Sequence, residues 1–92
     1  MIVSFRHKGL RRLYENDDAR GIGAEFLPRV RAILNQLDQA VRLEDLAMAS
    51  FQLHLLKGDR KGYWSVTVRA DWRIVFRFEN GDARDVELID YH

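Results

Sequence analysis

The sequence predicts an α+β fold in which helices come first and a sheet follows. Apolar residues recur at helical spacing as far as Val41, and from Phe51 the period drops to two. Short turn signals, above all Asn80-Gly81, separate the alternating runs. The expected architecture is an N-terminal strand and two helices packed on one face of a curved antiparallel sheet of four to five strands. Residues 1–92 read as one domain, without repeat or linker.

Ile2 to Arg6 read as a short strand leading into a helix, where Leu10, Leu13 and Tyr14 recur on one face. The Asn-, Asp- and Gly-rich stretch from Glu15 to Gly23 is a turn region. Phe26, Leu27, Val30, Ile33, Leu34, Leu37 and Val41 form the apolar stripe of a longer helix, with Arg29, Arg31, Gln36 and Asp38 off it. Pro28 must lie in the first turn of that helix, where a missing N–H costs nothing. Leu43 to Met48 add a helical turn.

Four strands follow. Phe51, Leu53 and Leu55 alternate with Gln52, His54 and Leu56; Trp64, Val66 and Val68 alternate with Ser65, Thr67 and Arg69. Trp72, Ile74, Phe76 and Phe78 alternate with Arg73, Val75 and Arg77, and Val86 and Leu88 with Asp85 and Glu87. The apolar set of each strand belongs on the face the helices cover. A three-residue turn Arg69-Ala70-Asp71 matches Val66 to Ile74 and puts Thr67 opposite Arg73 and Tyr63 opposite Arg77. A turn through Gly58 to Lys61 puts His54 opposite Ser65. His54, Tyr63, Ser65, Thr67, Arg73 and Arg77 then share the open face.

The last hairpin poses a conflict. Asn80-Gly81 favours a two-residue turn, but that register drives Asp85 and Glu87 in among Phe76 and Ile74. A three-residue turn keeps Leu88 with Ile74 and pairs Arg77 with Asp85, because a one-residue slip inverts every side chain. It places Tyr91 on the open face with Arg73. Asp90 and His92 reach that face only if the strand bulges or ends before Asp90.

Composition narrows the function classes. The chain is 47% hydrophobic and 32% charged, which is globular rather than disordered. It has no cysteine, hence no disulfide framework or thiolate metal site. No signal-peptide core or membrane span is expected, and the reading is a soluble, cytoplasmic protein. Residues 51–77 hold six cations and two anions, net +4, whereas residues 78–92 hold one cation and five anions, net −4. Twelve of the fifteen basic residues are Arg, whose planar fork suits phosphate. The bland reading of these charges is a solvated surface with ion pairs between strands.

Asp90-Tyr91-His92 sets a carboxylate, a phenol and an imidazole side by side beyond this basic sheet. Metal-free RNA cleavage needs a base for the 2′-hydroxyl, an acid for the leaving 5′ oxygen, and cations around the transition state. His92, His54 or Asp90 can serve as base or acid, since imidazole changes charge near neutral pH. Lys57, Arg73 and Arg77 are candidates to hold phosphate, together with Arg60 and Lys61 of the same basic loop. Tyr91 or Tyr63 can stack on a base or orient a hydroxyl. No metal-ligand spacing, Gly-rich phosphate loop or nucleophile elbow occurs, so neither metal nor cofactor is called for. Trp64 and Trp72 belong to the core.

The chain resembles the HigB-type toxins of bacterial toxin–antitoxin modules, within the RelE-like group. The resemblance rests on Ser4 to Leu10, Leu43 to Leu46, the run from Leu53 to Ser65 with Lys57-Gly58-Asp59-Arg60-Lys61-Gly62-Tyr63-Trp64-Ser65, Trp72 to Phe78, and Asp90-Tyr91-His92. It implies a RelE-like fold and a ribosome-dependent mRNA endonuclease that arrests translation. It also implies a HigA-type antitoxin with a helix-turn-helix domain, through which alone the pair reaches operator DNA. The family's active-site motif falls on His54, Asp90, Tyr91 and His92, with Lys57 and Arg73 as supporting cations. Arg69-Ala70-Asp71 departs from the Asn-Gly-type turn of relatives. The alternative is a non-catalytic ribosome- or RNA-binding inhibitor. A DNA-binding module ranks last, since no helix presents an outward Arg or Asn cluster.

Overall fold

The computed structural model describes residues 1–91. Helices α1 (Lys8–Asn16) and α2 (Leu27–Gln39) precede two 3-10 turns, Leu43–Leu46 and Ala49–Phe51. Strands β1 (His54–Leu55), β2 (Trp64–Arg69), β3 (Trp72–Glu79) and β4 (Asp82–Asp90) follow, with a further 3-10 turn, Gly58–Arg60, between β1 and β2. The four strands pair antiparallel in sequence order. The helices pack on one face, where Leu10, Leu13, Val30, Ile33 and Leu37 meet Val66, Ile74, Phe76, Val86 and Leu88 in one buried cluster. Full burial of each such side chain contributes about 1.5–3 kcal/mol. Trp72 packs against this cluster, its ring 5.3 Å from that of Phe26.

Each helix begins for a local reason. His7 caps α1, its Nδ1 accepting the Leu10 N–H at 3.1 Å. Burial lowers the pKa of this imidazole and so favours the neutral ring, the form in which a ring nitrogen can accept. Pro28 sits in the first turn of α2, as its missing N–H requires. The helix ends at Gln39, so Val41 lies beyond it and is 72% exposed rather than part of the stripe. The expected strand from Phe51 shrinks to His54–Leu55, because Phe51 ends a 3-10 turn and Gln52 takes a left-handed conformation, φ 50°.

The N-terminal segment runs parallel to β4 and pairs with it at two isolated bridges, Ile2 to Ala83 and Phe5 to Val86. A full strand is prevented between them. Asp85 is bulged, φ 53°, and its N–H is taken by the Ser4 hydroxyl at 2.8 Å instead of a main-chain carbonyl. Asp38 of α2 holds the same segment, accepting from the Ile2 N–H at 3.0 Å and the Tyr14 hydroxyl at 2.6 Å. Desolvation opposes the Asp38 carboxylate, yet these bonds outweigh it and hold its pKa below the usual range. The same bond pushes Tyr14 up to about 12.

Both flanking registers of β3 correct the expected turns. Trp64 pairs with Phe76, Val66 with Ile74, Thr67 with Arg73, and His54 with Ser65, as alternation requires. The β2–β3 turn, however, has two residues, Ala70-Asp71, and pairs Arg69 with Trp72. A shift between Thr67 and Arg69 absorbs the extra residue. At Asn80-Gly81 the two-residue turn also wins, with both φ angles positive, and Arg77 pairs with Arg84 rather than Asp85. The bulge at Asp85 restores Ile74 opposite Leu88. Turn chemistry and the buried face are thus both satisfied, at one bulge per hairpin.

Two stability predictions come from these contacts. A Cβ on Gly9 would meet the Gly21 carbonyl oxygen at 2.6 Å, so Gly9→Ala destabilises despite its better helix propensity, by about 1–3 kcal/mol in denaturant titration. The His7 cap works only unprotonated, and its folded pKa is lowered. Its contribution is therefore present above the ordinary value of 6.5 and is lost as pH falls through the folded value. Unfolding midpoints should drop from pH 7 toward pH 5, and drop less in His7→Asn, whose amide oxygen caps at either pH.

Candidate active site

The face of the sheet away from the helices carries a cavity of about 290 Å³. Gln52, His54, Leu56, Ser65, Thr67, Arg73 and Tyr91 line it. Alternation explains the set. Ser65 and Thr67 of β2 lie opposite His54 and Arg73, and Arg73 lies opposite Ile89 on the far side. Tyr91 follows β4 directly, and its N–H donates to the Asp71 carbonyl at 2.8 Å, so the β2–β3 turn holds it. Tyr91 is 40% exposed and lines the cavity.

Arg73 is fixed at the rim. Its Nη1 donates to the Trp72 carbonyl at 3.1 Å and to the Ala70 carbonyl. The rest of the guanidinium remains for a ligand, a geometry suited to an anion entering from solvent. The deeper wall is neutral: Ser65 is buried, and so are Leu56 and, behind them on the same face, Val75. Val75 and Leu56 lie outside the main core, which shows that the segment from Leu56 to Tyr63 roofs the middle of this face. That roof is held by the Leu56 N–H bond to the Tyr63 carbonyl at 2.8 Å and by the Arg60–Glu87 ion pair at 3.2 Å.

Of the residues singled out from sequence, the cavity brings together His54, Arg73 and Tyr91. Asp90 stands elsewhere: β4 continues through it, opposite Trp72, so alternation turns it to the helix-covered side. His92 lies outside the described residues. Lys57 and Lys61 are exposed on the roof, and Arg60 is engaged with Glu87. Tyr63 and Arg77 form a neighbouring cluster, with the Arg77 guanidinium 5.9 Å from the Tyr63 ring and 3.4 Å from Glu79. Arg6 joins this cluster by donating to the Tyr63 hydroxyl at 3.3 Å. Among the described residues no three His, Asp or Glu side chains are grouped as a metal ion would need.

The cavity also takes in Gln52 and Thr67, beyond the residues the sequence assigns to the site. The signal for Thr67 is alternation, which sets it opposite Arg73; Gln52 carries none, because a left-handed turn after Phe51 takes it out of the strand pattern. The Thr67 hydroxyl donates to Gln52 Oε1 at 3.0 Å. Behind the pair, Arg29 of α2 donates to the Thr67 carbonyl through Nε at 3.2 Å and Nη2 at 3.0 Å, and to the Ser50 carbonyl. Its guanidinium also lies 5.1 Å from the Phe51 ring centre.

Residues 3–92 match the family described as the RelE-like toxin of type II toxin–antitoxin system HigB. Over the full length of both chains, 92 residues, the sequence is 48% identical to Endoribonuclease HigB of Proteus vulgaris. Among solved structures, a mutant of YafQ from E. coli superposes with a TM-score of 0.63 at 16% identity, covering 96% of this chain and 89% of that one. The YoeB–YefM toxin–antitoxin heterotetramer of Staphylococcus aureus gives a TM-score of 0.62 at 16% identity, covering 100% of this chain and 95% of its match. These structural likenesses show a shared fold.

The roof supplies a prediction of its own. Arg60→Ala removes a partly buried ion pair, its side chains a third or less exposed, and should cost about 1 kcal/mol. Its local effect is larger: the amides of Lys61 and Tyr63, bonded to Gly58 and Arg60, should exchange hydrogen faster while those of β3 do not change.

Proposed function

We propose that this chain, which belongs to the RelE-like HigB toxins of type II toxin–antitoxin systems, cuts mRNA on the ribosome by metal-free attack of a 2′-hydroxyl on the adjacent phosphate. It is a toxin and an endoribonuclease of such a system, with a protein antitoxin as partner. The observation that carries the mechanism is the meeting of His54, Arg73 and Tyr91 on one open cavity. An RNA strand enters from the solvent side, and the Arg73 guanidinium pairs with a phosphate oxygen as charge builds on the pentacoordinate phosphorus. A base removes the 2′-hydroxyl proton, and the 2′ oxygen bonds to phosphorus. The bond to the 5′ oxygen breaks as an acid protonates it, leaving a 2′,3′-cyclic phosphate and a 5′-hydroxyl. His54 and His92 are the base and acid candidates; Asp90, which alternation turns to the other side of β4, takes part only if the end of that strand turns toward the cavity, and Tyr91 stacks on a base or orients the attacking hydroxyl.

Lys57 and Lys61, exposed on the roof, add phosphate contacts along the strand, and Tyr63, Arg77 and Arg60 extend the basic face. The antitoxin is of HigA type, with a helix-turn-helix domain, and operator DNA is reached only through it. The site of action is the cytoplasm, where ribosomes translate. No described helix is long and apolar enough to cross a membrane.

The test is 5′-end mapping of transcripts after brief induction. Wild type should cut within translated frames. His54→Ala or His92→Ala should lower cutting by about 10²–10⁴-fold, and Arg73→Ala by about 10²–10³-fold, each with an unchanged circular dichroism spectrum. Full cutting by both His variants would refute the assigned acid–base chemistry. Arrest of growth by wild type with intact transcripts would instead identify a non-catalytic inhibitor.

A further inference from the structure

We propose that Ser65 is a further catalytic residue of the cutting reaction: its hydroxyl, in the deep wall of the cavity, donates to a non-bridging oxygen of the scissile phosphate held by Arg73. The inference rests on the endonuclease reading above and adds one group to its machinery. Ser65 is the only polar residue buried among the described residues, 5% exposed, and it lines the cavity. Its hydroxyl makes no hydrogen bond to a described residue, whereas the other hydroxyl of this wall, on Thr67, is bonded to Gln52. No enclosed side-chain polar atom among the described residues lacks a partner, so the Ser65 oxygen is not enclosed and opens to the cavity.

The fold supplies no use for a hydroxyl there. Ser65 lies between His54 on β1 and Val75 on β3, and Val75 and the nearby Leu56 are buried apolar side chains. Alanine would meet the same packing, and a polar atom without a protein partner gains nothing from burial. Placement identifies the ligand. Arg73 pairs with Thr67, which makes it the diagonal neighbour of Ser65, and such neighbours lie about 7–8 Å apart. A phosphate fits between the two side chains and turns one non-bridging oxygen to each. Phosphate oxygens only accept, so the hydroxyl, which can accept or donate, must donate to them. Negative charge collects on these oxygens as the 2′ oxygen bonds to phosphorus, and a donor already in place stabilises it. His54, directly opposite Ser65, then stands beside the reacting phosphate.

The experiment uses the full chain and ribosomes loaded with an mRNA that carries a single phosphorothioate at a mapped cut site. Each diastereomer is compared with the all-oxygen mRNA. Ser65→Ala should cut the all-oxygen mRNA about 10- to 100-fold more slowly, with an unchanged circular dichroism spectrum. Sulfur accepts hydrogen bonds poorly, so wild type should cut the diastereomer whose sulfur faces Ser65 more slowly than the all-oxygen mRNA. In Ser65→Ala that penalty should shrink, because the bond that sulfur weakens is already gone. A merely structural serine would slow all three mRNAs alike and leave the penalty unchanged. Wild-type rates in Ser65→Ala, or unchanged penalties for both diastereomers, would overturn the proposal. Should Ser65→Ala lose its thermal transition, Ser65→Cys, whose thiol donates weakly, decides by the same ratios. Failure of wild type to cut the all-oxygen mRNA would refute the endonuclease reading itself. Cutting by wild type with no change in the Ser65 variants would refute this proposal alone.

Discussion

The register of β3 between its neighbours is the constraint from which the rest follows. Ile74 and Phe76 must face the helices, since both are fully buried in the cluster that holds the layers together. Parity then sends Arg73, Val75 and Arg77 to the other face. Each neighbouring strand meets this demand with one irregularity, near Val68 in β2 and at Asp85 in β4. Bulges of this kind let a tight turn and a buried face coexist when their parities disagree. The bulge at Asp85 also decides how the N-terminal segment joins, because the displaced N–H goes to Ser4 and leaves only two bridges to β4.

The cavity is built from this register and braced on three sides. The β2–β3 turn fixes Arg73 and Tyr91 together, one by its guanidinium on the Ala70 carbonyl and the other by its main-chain N–H on the Asp71 carbonyl. The roof from Leu56 to Tyr63 covers Val75 and so converts the centre of an open sheet face into a wall. Arg29 anchors the third side through the carbonyls of Ser50 and Thr67. A site intended to stabilise charge gains from such fixed groups, because little reorganisation is left to be done when the substrate arrives. The cations divide accordingly. Arg29, Arg60 and Arg73 commit donors to structure, and Lys57 and Lys61 stay exposed beside the cavity.

The family match and the relative of equal length bear on activity, because they extend over the site as well as the scaffold. The YafQ and YoeB structures share the architecture at 16% identity, which speaks for the layers and the strand order but not for the cavity's side chains.

The order of elements, the two helices, the strand parities and the face shared by His54, Ser65, Thr67 and Arg73 were all legible in the sequence. Each is written in a local period or in the spacing of apolar residues. The turn lengths were not. Asn80-Gly81 and the buried face gave opposite answers for β4, and sequence parity alone admits only one of them. Asp85 could resolve the conflict only by leaving the ladder, which depends on Ser4 arriving to take its N–H. Asp90 was placed only by the continuation of β4 opposite Trp72. Gln52 entered the site because a 3-10 turn and the reach of Arg29 set its backbone. Local pattern thus determined which side of the sheet each residue would occupy. Long-range hydrogen bonds decided where the strands would break step, because a bulge is stable only when a distant group satisfies what it frees.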